Sequence, residues 1–204
     1  PYTTLFRSGG NVVIIRDPDG RRIEVVHGDA QRANDAPVPQ DQPIRLAHAV
    51  LNSHAVESTR EFFEKALGFV LADRTRIMAF MNCDNDHHSI ALGDTDNDAL
   101  NHVAFLMPTL DAVMRGGGRL KDKGLPPQWG PGRHGPGHNA FNYFVDPFGI
   151  VIEYTAEVEQ IDETYRVGPV ARASTDPPQQ PCDGGGAQSE NHQRQRAAQS
   201  IVAR

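Results

Sequence analysis

The sequence predicts an α+β fold in which one strand–helix–strands unit is used twice. Three observations carry this: runs of alternating apolar residues, two helical patterns at matching places between them, and a repeated turn-and-strand signature. Residues 11–15 (NVVII) and 21–26 (RRIEVV) read as a strand pair joined by Asp17-Pro18-Asp19-Gly20. Pro presets φ there and Gly takes the φ > 0 position. Ile44 to Leu51 reads as a strand whose alternation places Ile44, Leu46, His48 and Val50 on one face. A helix follows over Val56 to Leu67, with Phe62, Phe63 and Leu67 as its apolar stripe and Gly68 as its stop. Shorter strands come next in FVLADR, IMAFMN and HHSIALG. The pattern then restarts with a strand over Asn101 to Leu106, a helix over Leu110 to Lys123, and strands over Asn142 to Val145 and Ile150 to Thr155. Gly116-Gly117-Gly118 is expected to fray or break that second helix, because each Gly costs about 0.5–1 kcal/mol in a helix interior.

Composition narrows the function. The chain has 204 residues, 38% of them hydrophobic, and a formal charge of -6 without a basic stripe, which argues against nucleic acid as a partner. No apolar run approaches the roughly 20 residues of a membrane span. The start, PYTTLFRSGG, has neither the basic nor the apolar region of a secretory leader, and Cys83 and Cys182 do not make a disulfide framework, so a cytoplasmic protein is expected. The stretch Asp17 to Glu24 and the stretch Asp146 to Glu153 share the pattern D-P-x-G-x-x-I-E. Residues 1–32 therefore read as the closing hairpin of an earlier, truncated module of the same kind, in keeping with a chain that starts at Pro1 rather than Met. Residues 33–42 read as a linker, 43–165 as the main domain, and 166–204, rich in Pro, Gln, Gly and Ser, as a disordered tail.

Three residues sit where strand periodicity makes them peculiar. His48 falls on an apolar strand face, His102 shares a face with Ala104 and Leu106, and Glu153 shares one with Val151. A buried carboxylate is costly unless it is paired, hydrogen-bonded or metal-bound. The two histidines occupy the same place in the first strand of the two units, and Glu153 lies in the last strand of the second. Two imidazoles and one carboxylate form the set that suits a non-haem Fe(II) with open coordination positions. The last strand of the first unit offers no carboxylate, so three protein ligands are expected. His87, His134 and Tyr143 are candidates for the surroundings of that metal. On their own they also read as an exposed loop residue, part of a Gly-rich loop and an ordinary strand aromatic. Phe80, Trp129, Phe141 and Phe148 fit an aromatic pocket or the core equally well.

Four stretches carry a resemblance to a known family: LAHAVLNS (46–53), NCDNDHHSIAL (82–92), LNHVAF (100–105) and GRHGPGHNAFNYFVDPFGIVIEY (132–154). The chain resembles the C-terminal domain of type I extradiol dioxygenases of the vicinal oxygen chelate superfamily, with the upstream domain nearly absent. The resemblance implies a vicinal oxygen chelate (glyoxalase/bleomycin resistance/dioxygenase) fold of paired βαβββ modules forming a curved sheet around a metal site. It implies His48, His102 and Glu153 as ligands of Fe(II), with Mn(II) as the other candidate. It implies His87 as the acid–base histidine, and His134 and Tyr143 as contacts to the bound diol and oxygen. The expected reaction is ring cleavage of a catechol-type diol by O2 in aromatic catabolism, with a homo-oligomer expected for the full-length parent. Two other readings stay open: another enzyme of the superfamily, such as a glyoxalase-like isomerase or thiol transferase, and a metal-free small-molecule binding module.

Overall fold

The computed structural model describes residues 10–30, 37 and 40–167. The tail from residue 168 onward and most of the linker fall outside the described residues. Strands β1 (Asn11–Arg16) and β2 (Arg22–His27) form a separate two-stranded antiparallel sheet. The first unit then runs β3 (Arg45–Ser53), α1 (Val56–Leu67), β4 (Val70–Arg74), β5 (Met78–Asn82) and β6 (Ile90–Asp94). The second runs β7 (Leu100–Leu106), α2 (Leu110–Asp122), β8 (Trp129–Arg133), β9 (Ala140–Val145) and β10 (Val151–Ala156). All eight later strands join one sheet in the order β4-β5-β6-β3-β7-β10-β9-β8. Each unit closes by laying its last strand parallel to its first, β6 on β3 and β10 on β7. The units meet through antiparallel pairing of β3 with β7. The first strands of both units are thus side by side at the centre of the sheet.

Helix α1 ends where Gly68 adopts φ 75° and gives its N–H to Glu64 O. Its Val56 and Phe63 pack on Ala79, Met81 and Leu92 to make the first core. Helix α2 begins at Thr109, whose hydroxyl accepts from Ala112 N at 3.1 Å. Its Ala112 and Val113 pack on Met107 and Ala156. The helices cover one face of the sheet and leave the concave face for the site. Among the described residues, no helix is long and apolar enough to cross a membrane.

Two D-P-x-G turns share one geometry. Gly20 N bonds Asp17 O and Gly149 N bonds Asp146 O, at 2.9 and 3.0 Å, while Asp17 and Asp146 each accept from the backbone N–H four residues on. Gly20 and Gly149 sit at φ 83° and 86°, which only glycine adopts readily.

Three expectations change. Helix α2 runs unbroken through Gly116-Gly117-Gly118. The reason is packing: a Cβ on Gly116 would stand 3.0 Å from the Tyr154 ring, and one on Gly117 would stand 2.5 Å from Asn142 Nδ2. The glycines let the helix lie close on β9 and β10, and that contact outweighs their poor helix propensity. Replacing Gly117 by Ala is therefore expected to destabilise the fold by about 1–3 kcal/mol despite the helix preference of Ala. Gly118→Ala, with nothing within 4 Å of its added carbon, is expected to stabilise by about 0.5–1 kcal/mol. Urea unfolding of the two variants reads both signs.

The second change lies in β3. A bulge shifts the register between Leu46 and His48. Leu46 is 55% exposed and Ile44 is exposed too, so the buried face starts at His48 and continues through Val50. The third is β8, which the sequence hid because WGPGR holds one proline and two glycines. It lies at the sheet edge, where a proline costs no ladder bond.

Candidate metal centre

Pairing brings His48, Ala104 and Glu153 into line across β3, β7 and β10. Ala104, fully buried, leaves the space in which the two longer side chains meet. His48 Nε2 lies 3.1 Å and His102 Nε2 3.2 Å from the same oxygen, Glu153 Oε2. All three side chains are buried, Glu153 completely. Burial alone would raise the Glu153 carboxyl, but His102 and His48 beside it hold it well below the usual carboxylate range.

A hydrogen-bonded chain of asparagines fixes His102. Its Nδ1 is 2.8 Å from Asn101 Oδ1, Asn101 Nδ2 donates to Asn52 Oδ1 at 2.9 Å, and Asn52 Nδ2 donates to Asn97 Oδ1 at 2.8 Å. The amide orientation follows from the chain: Asn101 spends its N–H on Asn52 and turns its oxygen to His102. His102 therefore carries its proton on Nδ1 and directs the bare Nε2 lone pair at a carboxylate oxygen. That nitrogen has no hydrogen-bond partner, and neither has His48 Nδ1. The lone pairs of His102 Nε2 and Glu153 Oε2 face one another at 3.2 Å in a buried site, with His48 Nε2 beside them, and a cation between them relieves that contact, so the donor set fits a metal. Glu153 Oε1 is held from behind by Asn139 Nδ2 at 3.2 Å, and Asn139 is anchored on Thr155.

His134 and Tyr143 face this centre. His134 Nε2 is 3.0 Å from Tyr143 Oη and 3.8 Å from Glu153 Oε1. The His134 ring stacks on Phe141 at 4.1 Å, and Tyr143 stacks on Trp129 at 5.0 Å. Burial pushes the His134 imidazole down to about 4 and the Tyr143 hydroxyl well up, so both are neutral near pH 7. A cavity of about 830 Å³ opens over the centre, lined by His48, His102, His134 and Tyr143, by Val50, Met78 and Phe80 on one side and by Trp129, Val145 and Val151 on the other. Of the four candidate pocket aromatics, Phe80 and Trp129 line it, Phe141 backs His134, and Phe148 is 86% exposed in a turn.

His87 does not line the cavity; His88 does. The His88 ring sits 4.3 Å from that of His48. His87 is turned away, with its Nε2 3.2 Å from Asp73 Oδ2 and its ring edge-on to Tyr165. Sequence could not tell the two rings apart because both histidines precede β6, which begins at Ile90, so strand alternation gives no phase for them. The two rings touch through their Nδ1 atoms at 3.1 Å. Gly137, at φ 74°, closes over both; an added Cβ there would lie 3.1–3.2 Å from their ring atoms. His88, Asn101 and Asn139 are the site residues that sequence reasoning missed. The asparagines carried one available signal, since Asn101 adjoins His102 and Asn139 lies five residues after His134.

Residues 45–154 match the family described as the Glyoxalase/Bleomycin resistance protein/Dioxygenase superfamily, and the chain belongs to it. Among its relatives, Metapyrocatechase 2 of Cupriavidus necator is 33% identical over 147 residues, covering 71% of this chain and 43% of that protein. The crystal structure of the Mn(II)-bound glyoxalase from Novosphingobium aromaticivorans superposes with a TM-score of 0.76 at 38% identity, over 81% of this chain and 56% of that one. The 2,3-dioxygenase LapB from Pseudomonas sp. KL28 gives 0.71 at 22% identity, over 80% of this chain and 63% of that one, a likeness of fold. This chain thus spans about half the length of the relatives it matches.

Proposed function

We propose that the chain carries the metal-holding domain of an extradiol dioxygenase, which opens the ring of a catechol-type diol with O2. The observation that carries this reading is the convergence of His48, His102 and Glu153 on one point, with the His102 Nε2 lone pair set there by Asn101. These three residues would hold the ion, Fe(II) in the first place and Mn(II) in the second. Bound there, it supplies a Lewis acid that favours loss of a diol proton and a common meeting point for diol and O2.

The chain's own residues do the rest. Phe80, Val50 and Trp129 give the ring an apolar slot and keep bulk water from the centre. His134 and Tyr143, hydrogen-bonded to each other, present a neutral imidazole and a hydroxyl to the oxygens of the substrate. His88 takes the acid–base role that the resemblance gave to His87. With His87 donating its Nε2–H to Asp73, its Nδ1 accepts from His88 Nδ1–H, and His88 Nε2 is left as the base.

The test is anaerobic loading with Fe(II) or Mn(II), followed by oxygen uptake with a panel of catechols and detection of the ring-opened product. A folded, metal-loaded protein that consumes no oxygen with any vicinal diol would overturn the reading. A related prediction concerns Asn101. Asn101→Ala should weaken metal binding about 10–100-fold, as the loss of a group that orients a ligand does. Asn101→Asp, which keeps the acceptor oxygen, should restore most of it, as measured by competition with a chromophoric chelator.

A glyoxalase-like reading is favoured by the Mn(II)-bound relative. Such a site would draw a fourth protein ligand from β6. Register identifies the position: Glu153 pairs with Ala104, two residues beyond His102, and the residue paired with Val50, two beyond His48, is Ala91. Ala91 is fully buried and offers no donor, which supports three ligands over four. Isomerisation of a thiol adduct of an oxo-aldehyde without oxygen uptake would reverse this choice.

A further inference from the structure

The turn between β1 and β2, the loop after β3 and the loop before β7 bring a second donor set together, apart from the triad. His54 Nδ1 lies 2.7 and 2.9 Å from the two oxygens of Asp98 and 3.8 Å from Asp19 Oδ1. One ligand atom from each of the three residues lies within 4.8 Å of the others.

Asp19 is the unusual member. Its side chain is fully withdrawn from solvent. One oxygen, Oδ2, accepts from Thr59 Oγ1 at 2.9 Å and from Arg21. The other, Oδ1, is buried, has no hydrogen-bond donor, and has the His54 imidazole as its neighbour. An unpartnered carboxylate oxygen in the interior is expensive, and a cation is what relieves it. The charge balance points the same way. Asp17 and Asp19 share a single guanidinium, Arg21, which bonds Asp17 at 2.5 Å, and Asp98 accepts from the His54 backbone N–H and lies against its imidazole, so three carboxylates share one guanidinium and one imidazole.

We propose that Asp19, His54 and Asp98 form a second divalent-cation site, of the zinc type, that clips the β1–β2 hairpin to the main domain. One imidazole nitrogen and two carboxylates are donors zinc accepts, and a tetrahedral ion with bonds of about 2.0–2.2 Å separates its ligand atoms by about 3.3–3.6 Å. The contacts of 2.7, 2.9 and 3.8 Å bracket that span. His54 and Asp98 are 60% and 31% exposed, which gives an ion a way in and leaves room for water as the remaining ligand. The consequence reaches the cavity. Asp98 ends the segment whose Asp94, Thr95, Asp96 and Asn97 line the cavity, so an ion at Asp98 would steady that wall against the hairpin.

Zinc itself is the probe. The metal-free full chain is titrated with Zn(II) against a chromophoric chelator, with circular dichroism to confirm the folded state of each variant. The expected result is two equivalents for the unaltered chain, one for Glu153→Gln, which loses the triad site, and one for His54→Gln and for Asp98→Asn. Zn(II) should raise the melting temperature of Glu153→Gln but not of Glu153→Gln combined with His54→Gln. The proposal is overturned if Glu153→Gln binds no zinc, which would mean that a protonated His54 alone balances Asp19 and Asp98. It is equally overturned if His54→Gln and Asp98→Asn keep both equivalents.

Discussion

Glu153→Gln is expected to weaken metal binding at the triad by about 1,000-fold and, with it, to lose oxygen uptake. Glu153 is the only anion among the three converging groups, and it is completely buried. Unit charges about 4 Å apart at an effective dielectric near 20 interact by about 4 kcal/mol, and every 1.4 kcal/mol is tenfold in affinity. Gln keeps the shape of the side chain and an oxygen that can face Asn139 Nδ2, so the fold should survive while the charge is gone. Metal content after equilibrium dialysis, read together with circular dichroism, checks this. A folded variant that binds as many ions per chain as the unaltered protein, at the same affinities, would show that the triad is not the metal centre. The two readouts separate a metal role from a structural one. Without metal, the variant should melt lower than the unaltered protein, because the carboxylate that His102 and His48 hold in its ionised form is gone, so the metal role is read from the lost equivalent and not from the melt.

Much of this centre was legible in the sequence, and the reasons are physical. His48, His102 and Glu153 lie within regular strands, where the period of two fixes which side chains share a face. Their peculiarity as polar residues on apolar faces could therefore be read without coordinates. The two-unit plan was legible for the same reason, since each unit repeats one order of strand and helix. What could not be read depends on contacts across the chain. The bulge that exposes Leu46 arises from pairing of β3 with β7. The continuity of α2 through three glycines is set by Tyr154 and Asn142, more than twenty residues away in sequence. The asparagine chain from Asn97 through Asn52 and Asn101 to His102 links three segments, and no local pattern marks it. His87 and His88 lie where the backbone is not yet a strand, so only the fold could tell which ring enters the cavity.

That last distinction makes the sharpest kinetic prediction. His88→Phe should retain its metal and lower kcat by about 100- to 10,000-fold, the range for losing a general acid–base group. Phe fills the volume beside Phe80, whose ring centroid lies 5.2 Å from that of His88, so the variant should fold. His87→Phe should act differently. It removes the acceptor that orients His88 Nδ1 and the contact to Asp73 at 3.2 Å. One hydrogen bond is worth about 0.5–1.5 kcal/mol, so the loss in kcat should stay within about tenfold. Its larger cost falls on stability. The backbone N–H that bonds Glu159 O survives the change, so the cost comes from losing the buried imidazole's contacts to Asp73 and to His88 Nδ1. Steady-state kinetics with a catechol, metal content and thermal melts on both variants decide the matter. If His87→Phe proves the slower enzyme at full metal occupancy while His88→Phe turns over normally, the proton passes through the other ring and the assignment made from the cavity is wrong.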